Sequence, residues 1–457
     1  MNEDIRNEEQ VSLQKILKIT YPIILSMFSL NLMVFVDRAF VAKYSLTQFA
    51  AAMPAGNIAS AISSIFIGVI GFTATLIAQY YGADKKDDCS SSMWQGVYLS
   101  VVFSLLIILI SPVISNIFQL MGHESHLIEF EKQYFYLIIF SSCVQLFITA
   151  FSSLYRGIGE TKITMYVGVV SNVLNMILDW IFIFGKFGFP EMGGIVGAGS
   201  ATITSSIVSC IIYIILLKRK KISNQYEVFA NKKLDKNLIK KLARFGFPAG
   251  IQTFVGTAYF SLLLLIIGKT GEFNLTCSNI AFTIEGISIF PIWGLGMAMS
   301  IIVGQERGAG RINNIAKALK KGLMIGLCFN LLIIIVYNLF PKHLILIFNS
   351  GGDKEKFEAI VNYTTILIRV TSIWIVFDTM QIVISNVLRA VGDTMFMMII
   401  FTIMPFLFYI VLPYIFVVVL NLSLMWIWIV LLVYTLLMLS IVSIRFISGK
   451  WKKISVI

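Results

Sequence analysis

Four carboxylates stand inside long apolar runs of this chain: Asp37, Asp179, Glu285 and Asp378. An ionised carboxylate near the middle of a bilayer costs at least a few kcal/mol, so such groups face a bundle interior and are candidates for holding a cation or a proton. Taking the outward-facing lysines as rulers and a helical rise of about 1.5 Å per residue, Asp37 lies about 9 Å below Lys43 and Asp179 about 10 Å below Lys186. The two acids share a level. Ser171, Asn172, Asn175 and Asp179 fall on one helix face, and Thr202, seven residues past Ile195 in the next apolar run, reaches the same height. The small residues Gly197-Ala198-Gly199-Ser200-Ala201 ahead of it let backbones approach closely. Two carboxylates, an amide oxygen and a hydroxyl at one height suit either Na⁺, a hard cation that wants oxygen ligands, or a proton shared between acids held close. Arg38 offers Asp37 a structural ion pair instead, but adjacent helical residues project about 100° apart and pair poorly.

The elements that must carry these groups are membrane-spanning helices. Of 457 residues, 58% are hydrophobic and only 13% charged, against about 25% charged in ordinary soluble domains. A helix needs about 20 apolar residues to cross the hydrocarbon, and twelve stretches qualify: 16–42, 48–80, 92–118, 134–156, 162–185, 195–217, 244–268, 276–305, 317–340, 360–388, 394–420 and 424–447. The expected fold class is an all-α integral membrane protein. Most of the 36 basic residues fall in the termini and the even-numbered loops, which puts both termini in the cytoplasm of a multi-pass protein of the cell membrane. Lys218-Arg219-Lys220-Lys221 opens the most basic segment, running to Arg244. The net charge of +12 is thus topological, and the lipid bilayer rather than a nucleic acid is the expected partner. Met1–Gln10 is polar and acid-containing and the first apolar run is of full span length, so no cleavable signal is expected. The five cysteines are widely spaced and read as packing residues; His123 and His126, in an outer loop, read as solvated.

The chain is internally duplicated. Gln79, Gly82, Ala83 and Gly96 recur as Gln305, Gly308, Ala309 and Gly322, as do Pro22 as Pro248 and Lys43 as Lys269, all at an offset of 226; Arg156, Gly159 and Thr161 recur as Arg389, Gly392 and Thr394 at 233. Such repeats are typical of transporters. Two six-helix bundles follow, residues 1–217 and 244–457, joined by a basic linker, 218–243. Because six is even, both bundles begin inside and should be related by a pseudo-twofold axis along the membrane normal, with a cleft between them. The repeat also isolates the chemistry. Asp37 and Asp179 correspond to Leu263 and Leu412, while Glu285 and Asp378 correspond to Ala59 and Gln145, so the fold itself does not require these acids.

The chain resembles the multidrug and toxic compound extrusion (MATE) transporters along nearly its whole length. The resemblance rests on Val36-Asp37-Arg38, Gln79-x-x-Gly82-Ala83, Leu154-Tyr155-Arg156-Gly157-Ile158-Gly159-Glu160-Thr161-Lys162, Asn175-Met176-Ile177-Leu178-Asp179 and Gly194-Ile195-Val196-Gly197-Ala198-Gly199-Ser200-Ala201-Thr202. Phe247-Pro248-Ala249-Gly250, Gly304-Gln305-Glu306-Arg307-Gly308-Ala309-Gly310 and Leu388-Arg389-Ala390-Val391-Gly392-Asp393-Thr394 extend it into the second half. It implies secondary active efflux of amphipathic, often cationic, small molecules, driven by inward H⁺ or Na⁺ movement through alternating opening of the cleft. In the subgroup with a first-lobe ion site, the matching positions are Asp37, Asn175, Asp179 and Thr202, with Pro22 as the hinge of helix 1. A second subgroup uses acids of helices 7 and 10; here the helix 7 position is Gly256 and only Asp378 matches, which leaves Glu285 and Asp378 as secondary candidates. No cofactor beyond the coupling ion is expected, nor an oligomer. The alternative within the same superfamily is a lipid-linked oligosaccharide flippase, which would line its cleft with cations; Arg38 and Arg369 are the candidates here. An enzyme is not expected: no Gly-x-Gly-Asp stands within a span, and no phosphate-binding Gly-x-x-x-x-Gly-Lys-Ser/Thr string occurs.

Overall fold

The computed structural model describes residues 11–121, 123–348 and 354–457; the polar start Met1–Gln10 lies outside them. The described residues form helices and turns without a strand. Twelve helices are long and apolar enough to span a bilayer: α1 (Leu13–Tyr44), α2 (Leu46–Gly82), α3 (Lys86–Leu120), α4 (Ser125–Gly157), α5 (Thr161–Phe184), α6 (Gly194–Leu217), α7 (Lys236–Gly268), α8 (Glu272–Gly308), α9 (Ile312–Leu339), α10 (Lys354–Ala390), α11 (Thr394–Val419) and α12 (Met425–Ile447). Each covers one of the apolar stretches read from sequence to within one residue, and most extend past it into polar flanks. The protein is a multi-pass membrane protein of two six-helix bundles. Its outward faces are apolar as lipid requires: Leu105, Leu109 and Val113 of α3, four residues apart, are all exposed.

Helix ends are built from local chemistry. Ser45 caps α2 by accepting a hydrogen bond from Gln48 N–H, and Gln48 Oε1 in turn accepts from Ile195 N–H at 2.9 Å, satisfying an orphan donor in the first turn of α6. The turns after α4 and α10 are repeats of one another. Glu160 N–H donates to Tyr155 O at 2.8 Å and Asp393 N–H to Leu388 O at 2.9 Å, the six-to-one bond of a left-handed helix stop, with Gly159 at φ 88° and Gly392 at φ 94°. Ala390, which stands where the first copy has Gly157, does not disturb that turn, because Gly392 takes the left-handed position. In α11 the ladder widens into π turns over Phe406–Val411 and Tyr414–Val419. Each follows a proline, Pro405 or Pro413, that cannot donate to the preceding turn.

By contact the chain divides into two compact units. One gathers the described residues up to Thr20 with Val255–Val303 and Arg311–Ser455; its core packs Leu263, Ile284, Tyr337, Trp374, Ile375 and Trp428, with Phe282 stacked on Trp428 at 5.0 Å between centroids. The other gathers Tyr21–Phe254, Gly304–Gly310 and Val456–Ile457. Within this second unit, the end of α8 crosses α2 so closely that a Cβ on Gly82 would overlap the Gln305 carbonyl, and one on Gly308 would overlap the Gln79 carbonyl. These two collisions are images of each other under the sequence repeat.

The basic segment after α6 is also held in that unit. After a short helix, Lys220–Gln225, its backbone is tied to α3: Trp94 Nε1 donates to Val228 O at 2.6 Å, Gln95 Nε2 to Lys233 O at 3.0 Å, and Tyr98 OH to Lys232 O. Tyr226 and Val228 are buried, and burial raises the Tyr226 phenol above its ordinary pKa. α7 begins at Lys236. At the opposite end of α3, His123 differs from the solvated residue expected: its Nδ1 lies 2.8 Å from Oε1 of the fully buried Glu131.

The glycine crossing yields a direct test. Gly82→Ala and Gly308→Ala each force backbone apart and should cost about 1–3 kcal/mol, read as a lowered melting midpoint in detergent. Gly71→Ala, with nothing within 4 Å of its added methyl, should leave the midpoint unchanged or raise it.

Candidate functional site

Asp37 and Asp179 come together in the C-terminal halves of α1 and α5. Asp37 is seven residues from the end of α1 and Asp179 five from the end of α5, about 10 and 8 Å along their helices. Thr202 is eight residues into α6, about 12 Å from the same side. Asn175 and Asp179, one turn apart, are both fully buried on the inner face of α5. Gly185, left-handed at φ 60°, ends α5 and turns the chain back toward α6.

Asn175 is the link. With its amide turned so that both ends are satisfied, Nδ2 donates to Asp179 Oδ2 at 3.1 Å and the amide oxygen accepts from Thr202 N–H at 3.2 Å. Thr202 Oγ1 donates back to Ala198 O at 3.0 Å, leaving its lone pairs for a further partner. Two more contacts lock the frame: Asn172 Nδ2 donates to Ser29 Oγ of α1 at 3.1 Å, and Ser171 Oγ to Ser205 O of α6 at 3.1 Å. One oxygen of each acid, Asp37 Oδ1 and Asp179 Oδ1, is buried without a hydrogen-bond partner. Asp37 makes no ion pair with Arg38 among the described residues, although the Arg38 charge acts on it. The two carboxylates also act on each other electrostatically, and both act on Tyr134 of α4.

Tyr134 is the residue that sequence reasoning missed. It lines, with Asp37, Arg38, Asn57 and Ser60, a cavity of about 150 Å³ bounded by α1, α2 and α4. Asp37 forms part of its wall; Asp179 does not. The pair therefore joins one acid open to the cavity with one sealed behind it. Among the described residues no three His, Cys, Asp or Glu side chains cluster, so any metal ion here would complete its shell with neutral oxygens such as those of Asn175 and Thr202, as a hard monovalent cation accepts.

The secondary candidates also meet, in the other unit. Trp374 Nε1 donates to Glu285 Oε1 at 2.7 Å, and the Asp378 charge acts on Glu285 and on Tyr434. Tyr409 and Tyr434 pack ring to ring at 5.0 Å. The helix 7 position, Gly256, has open space around it; the acid that faces Asp378 comes from α8.

Comparison with known proteins matches residues 22–181 and 248–415 to the family described as MatE. The chain is 28% identical over 429 residues to a probable multidrug resistance protein NorM of Thermotoga maritima, covering 92% of this chain and 89% of that one. It is 27% identical over 382 residues to the multidrug resistance protein NorM of Vibrio cholerae, covering 83% and 81%. In fold it is similar to an outward-facing multidrug resistance MATE family transporter of the MOP superfamily, at TM-score 0.86 and 20% identity with 97% of each chain covered. It is similar too to a MOP superfamily transporter from Pyrococcus furiosus for which a reversed pocket polarity suggests a different function, at TM-score 0.82, 20% identity and the same coverage.

Replacing Asn175 with Ala removes the bridge between Asp179 and Thr202 and leaves the second Asp179 carboxylate oxygen without its donor. The expected cost is about 1–3 kcal/mol, seen as a lower melting midpoint than that of Ser171→Ala measured alongside.

Proposed function

Because the chain belongs to the MatE family of transporters, we propose that it is a multidrug efflux antiporter, exporting amphipathic, chiefly cationic, small molecules in exchange for H⁺ or Na⁺ bound at Asp37, Asn175, Asp179 and Thr202. The observation that carries this reading is the pair of carboxylates on α1 and α5, each with a buried unpartnered oxygen, one facing a cavity and the other joined through Asn175 to Thr202. A small cation or a proton supplies what that pair lacks, since two negative charges held close in low dielectric repel. The protein acts in the cell membrane as a monomer, with both termini cytoplasmic and the basic segment 218–243 joining its two lobes.

The cycle works by differential binding. A cation loaded from outside removes unfavourable buried charge, favours one bend of α1 at Pro22 and with it outward release of the compound; unloading to the cytoplasm resets the protein. A ligand shifts such an equilibrium only by its difference in affinity for the two states, typically about 1–3 kcal/mol. Pro22 suits a hinge because it withholds a donor from the preceding turn, while its carbonyl accepts from Ser26 Oγ at 2.9 Å. Glu285 and Asp378, beside Trp374, Tyr409 and Tyr434, offer the cationic compound a carboxylate and aromatic faces. The flippase reading is disfavoured: Arg38 is the single cation on the wall of the described cavity, too little for a pyrophosphate.

In membrane vesicles, a proton gradient and a sodium gradient imposed separately identify the coupling ion by which of them drives transport of a fluorescent cation. Asp37→Asn and Asp179→Asn should each reduce that transport to background in a protein that still folds; full resistance to toxic cations in cells carrying either variant refutes the site. Glu285→Gln and Asp378→Asn should instead raise KM for a cationic compound by about tenfold, the loss of roughly 1.4 kcal/mol of cation contact, while coupling to the same ion persists.

A further inference from the structure

A polar seam runs along α4 and α6, away from the Asp37/Asp179 site. On α4 one face carries Tyr134, Ser141, Gln145, Thr149, Ser152 and Arg156, with Ser141, Thr149 and Ser152 buried and Gln145 open. On α6 the face that holds Thr202 continues through Ser205, Ser209 and Tyr213, the last three all buried. The two helices pack together, with Gly199 against Leu137 near the site and the Tyr155 and Tyr213 rings 6.2 Å apart at the far end. Hydroxyls on both sides donate to their own helix backbones, so their lone pairs remain to receive a passing cation. Left open, this seam would be a route by which an ion leaves the site for the other side without moving any compound.

Arg156 stands at its inner end. Its Nη2 reaches back two turns to Thr149 O at 3.2 Å, which sets the guanidinium about 22 Å along α4 from Tyr134. Its Nε is buried without a partner, its charge faces Tyr213, and among the described residues no carboxylate pairs with it. A buried cation without a counter-charge is costly. The repeat keeps it all the same: Arg389, the counterpart on α10, also has a buried unpartnered Nε, with its guanidinium over the Phe401 ring, 5.8 Å from the centroid. A fixed guanidinium at the end of a line of polar side chains is a barrier to cations moving along it.

We propose that Arg156 is an electrostatic stop, a positioning residue that prevents the coupling cation from leaking along the α4/α6 seam and so forces its release through the conformational cycle. This rests on the cation site proposed above. The whole protein in liposomes, with no compound present and an inside-negative potential, provides the test through radiolabelled sodium uptake and acidification of a trapped pH dye. Arg156→Ala and Arg156→Gln should pass one of the two ions about tenfold faster than the unaltered protein, Arg156→Lys should remain tight, and Asp37→Asn added to Arg156→Ala should restore tightness, because the leak begins at the site. A folded Arg156→Ala or Arg156→Gln protein, judged by elution and melting, that is as tight to both ions as the original overturns the proposal. So does a leak that Asp37→Asn leaves unchanged. Failure of the cation site itself registers separately, as gradient-driven efflux retained by Asp37→Asn alone.

Discussion

Hydrocarbon cannot solvate charge, and that constraint organises this molecule. Every carboxylate or guanidinium within a span must turn inward and find oxygen, nitrogen, an aromatic face or an ion, since isolation in low dielectric costs several kcal/mol. Glu285 finds the Trp374 indole, Asp393 finds Arg445 in a two-bonded pair at 2.7 and 3.0 Å, and Glu131 finds His123. Asp37 and Asp179 each keep one buried oxygen without a partner, as Glu131 does at Oε2, and Arg156 and Arg389, though they reach the Thr149 carbonyl and the Phe401 ring, each keep an unpartnered Nε. Groups satisfied by the fold stabilise it; groups left partly unsatisfied are where a mobile ion has something to gain or to avoid.

Duplication explains why the scaffold is conservative and the chemistry is not. The paired helix stops at Gly159 and Gly392, and the paired crossings of Gly82 on Gln305 and Gly308 on Gln79, are backbone devices fixed by sterics, so both copies retain the same residue types. The acids are not needed for those devices. Leu263 packs in an apolar core where Asp37 faces a cavity, and Gln145 stands where the other copy has Asp378. One backbone thus holds carboxylates at different depths and on different helices in its two halves, and their consequences differ: Asn175 and Thr202 surround one pair with neutral oxygens, whereas Trp374, Tyr409 and Tyr434 surround the other with rings.

Much of this was legible in the sequence because lipid imposes a simple grammar. Span length, basic loops and the constant repeat offset gave twelve helices and two bundles, and polar residues inside apolar runs gave Asp37, Asn175, Asp179 and Thr202 at a common height. Their connection through the Asn175 amide was not legible, since it depends on which way a side chain turns. Tyr134 stayed hidden among 17 tyrosines, because only its place with Asp37 on the cavity wall distinguishes it. The Glu285 and Asp378 encounter was not legible, because the resemblance points to helix 7 for the partner acid and α8 supplies it. His123 was misread for a similar reason: Glu131 is eight residues away, and only the fold of the α3–α4 turn sets the two side chains together.

Packing adds a further step to the argument for α1 as the moving part. Of its 32 residues few are buried, Ile16, Ile19, Thr20, Ile23 and Val41 among them, whereas α2 buries a nearly continuous face from Ala51 to Tyr80. A lightly packed helix has little contact energy to lose on bending, so a small free-energy difference suffices to move it. The division between the two compact units falls between Thr20 and Tyr21, beside Pro22, where the missing N–H already weakens the helical ladder. Asp37 is fifteen residues farther along the same rod, about 22 Å. On the proposed mechanism, the carboxylate and the hinge need no relay of side chains between them: neutralising Asp37 changes how firmly the outer half of α1 is held against α4 and α5, and a continuous helix transmits that change to its weakest turn.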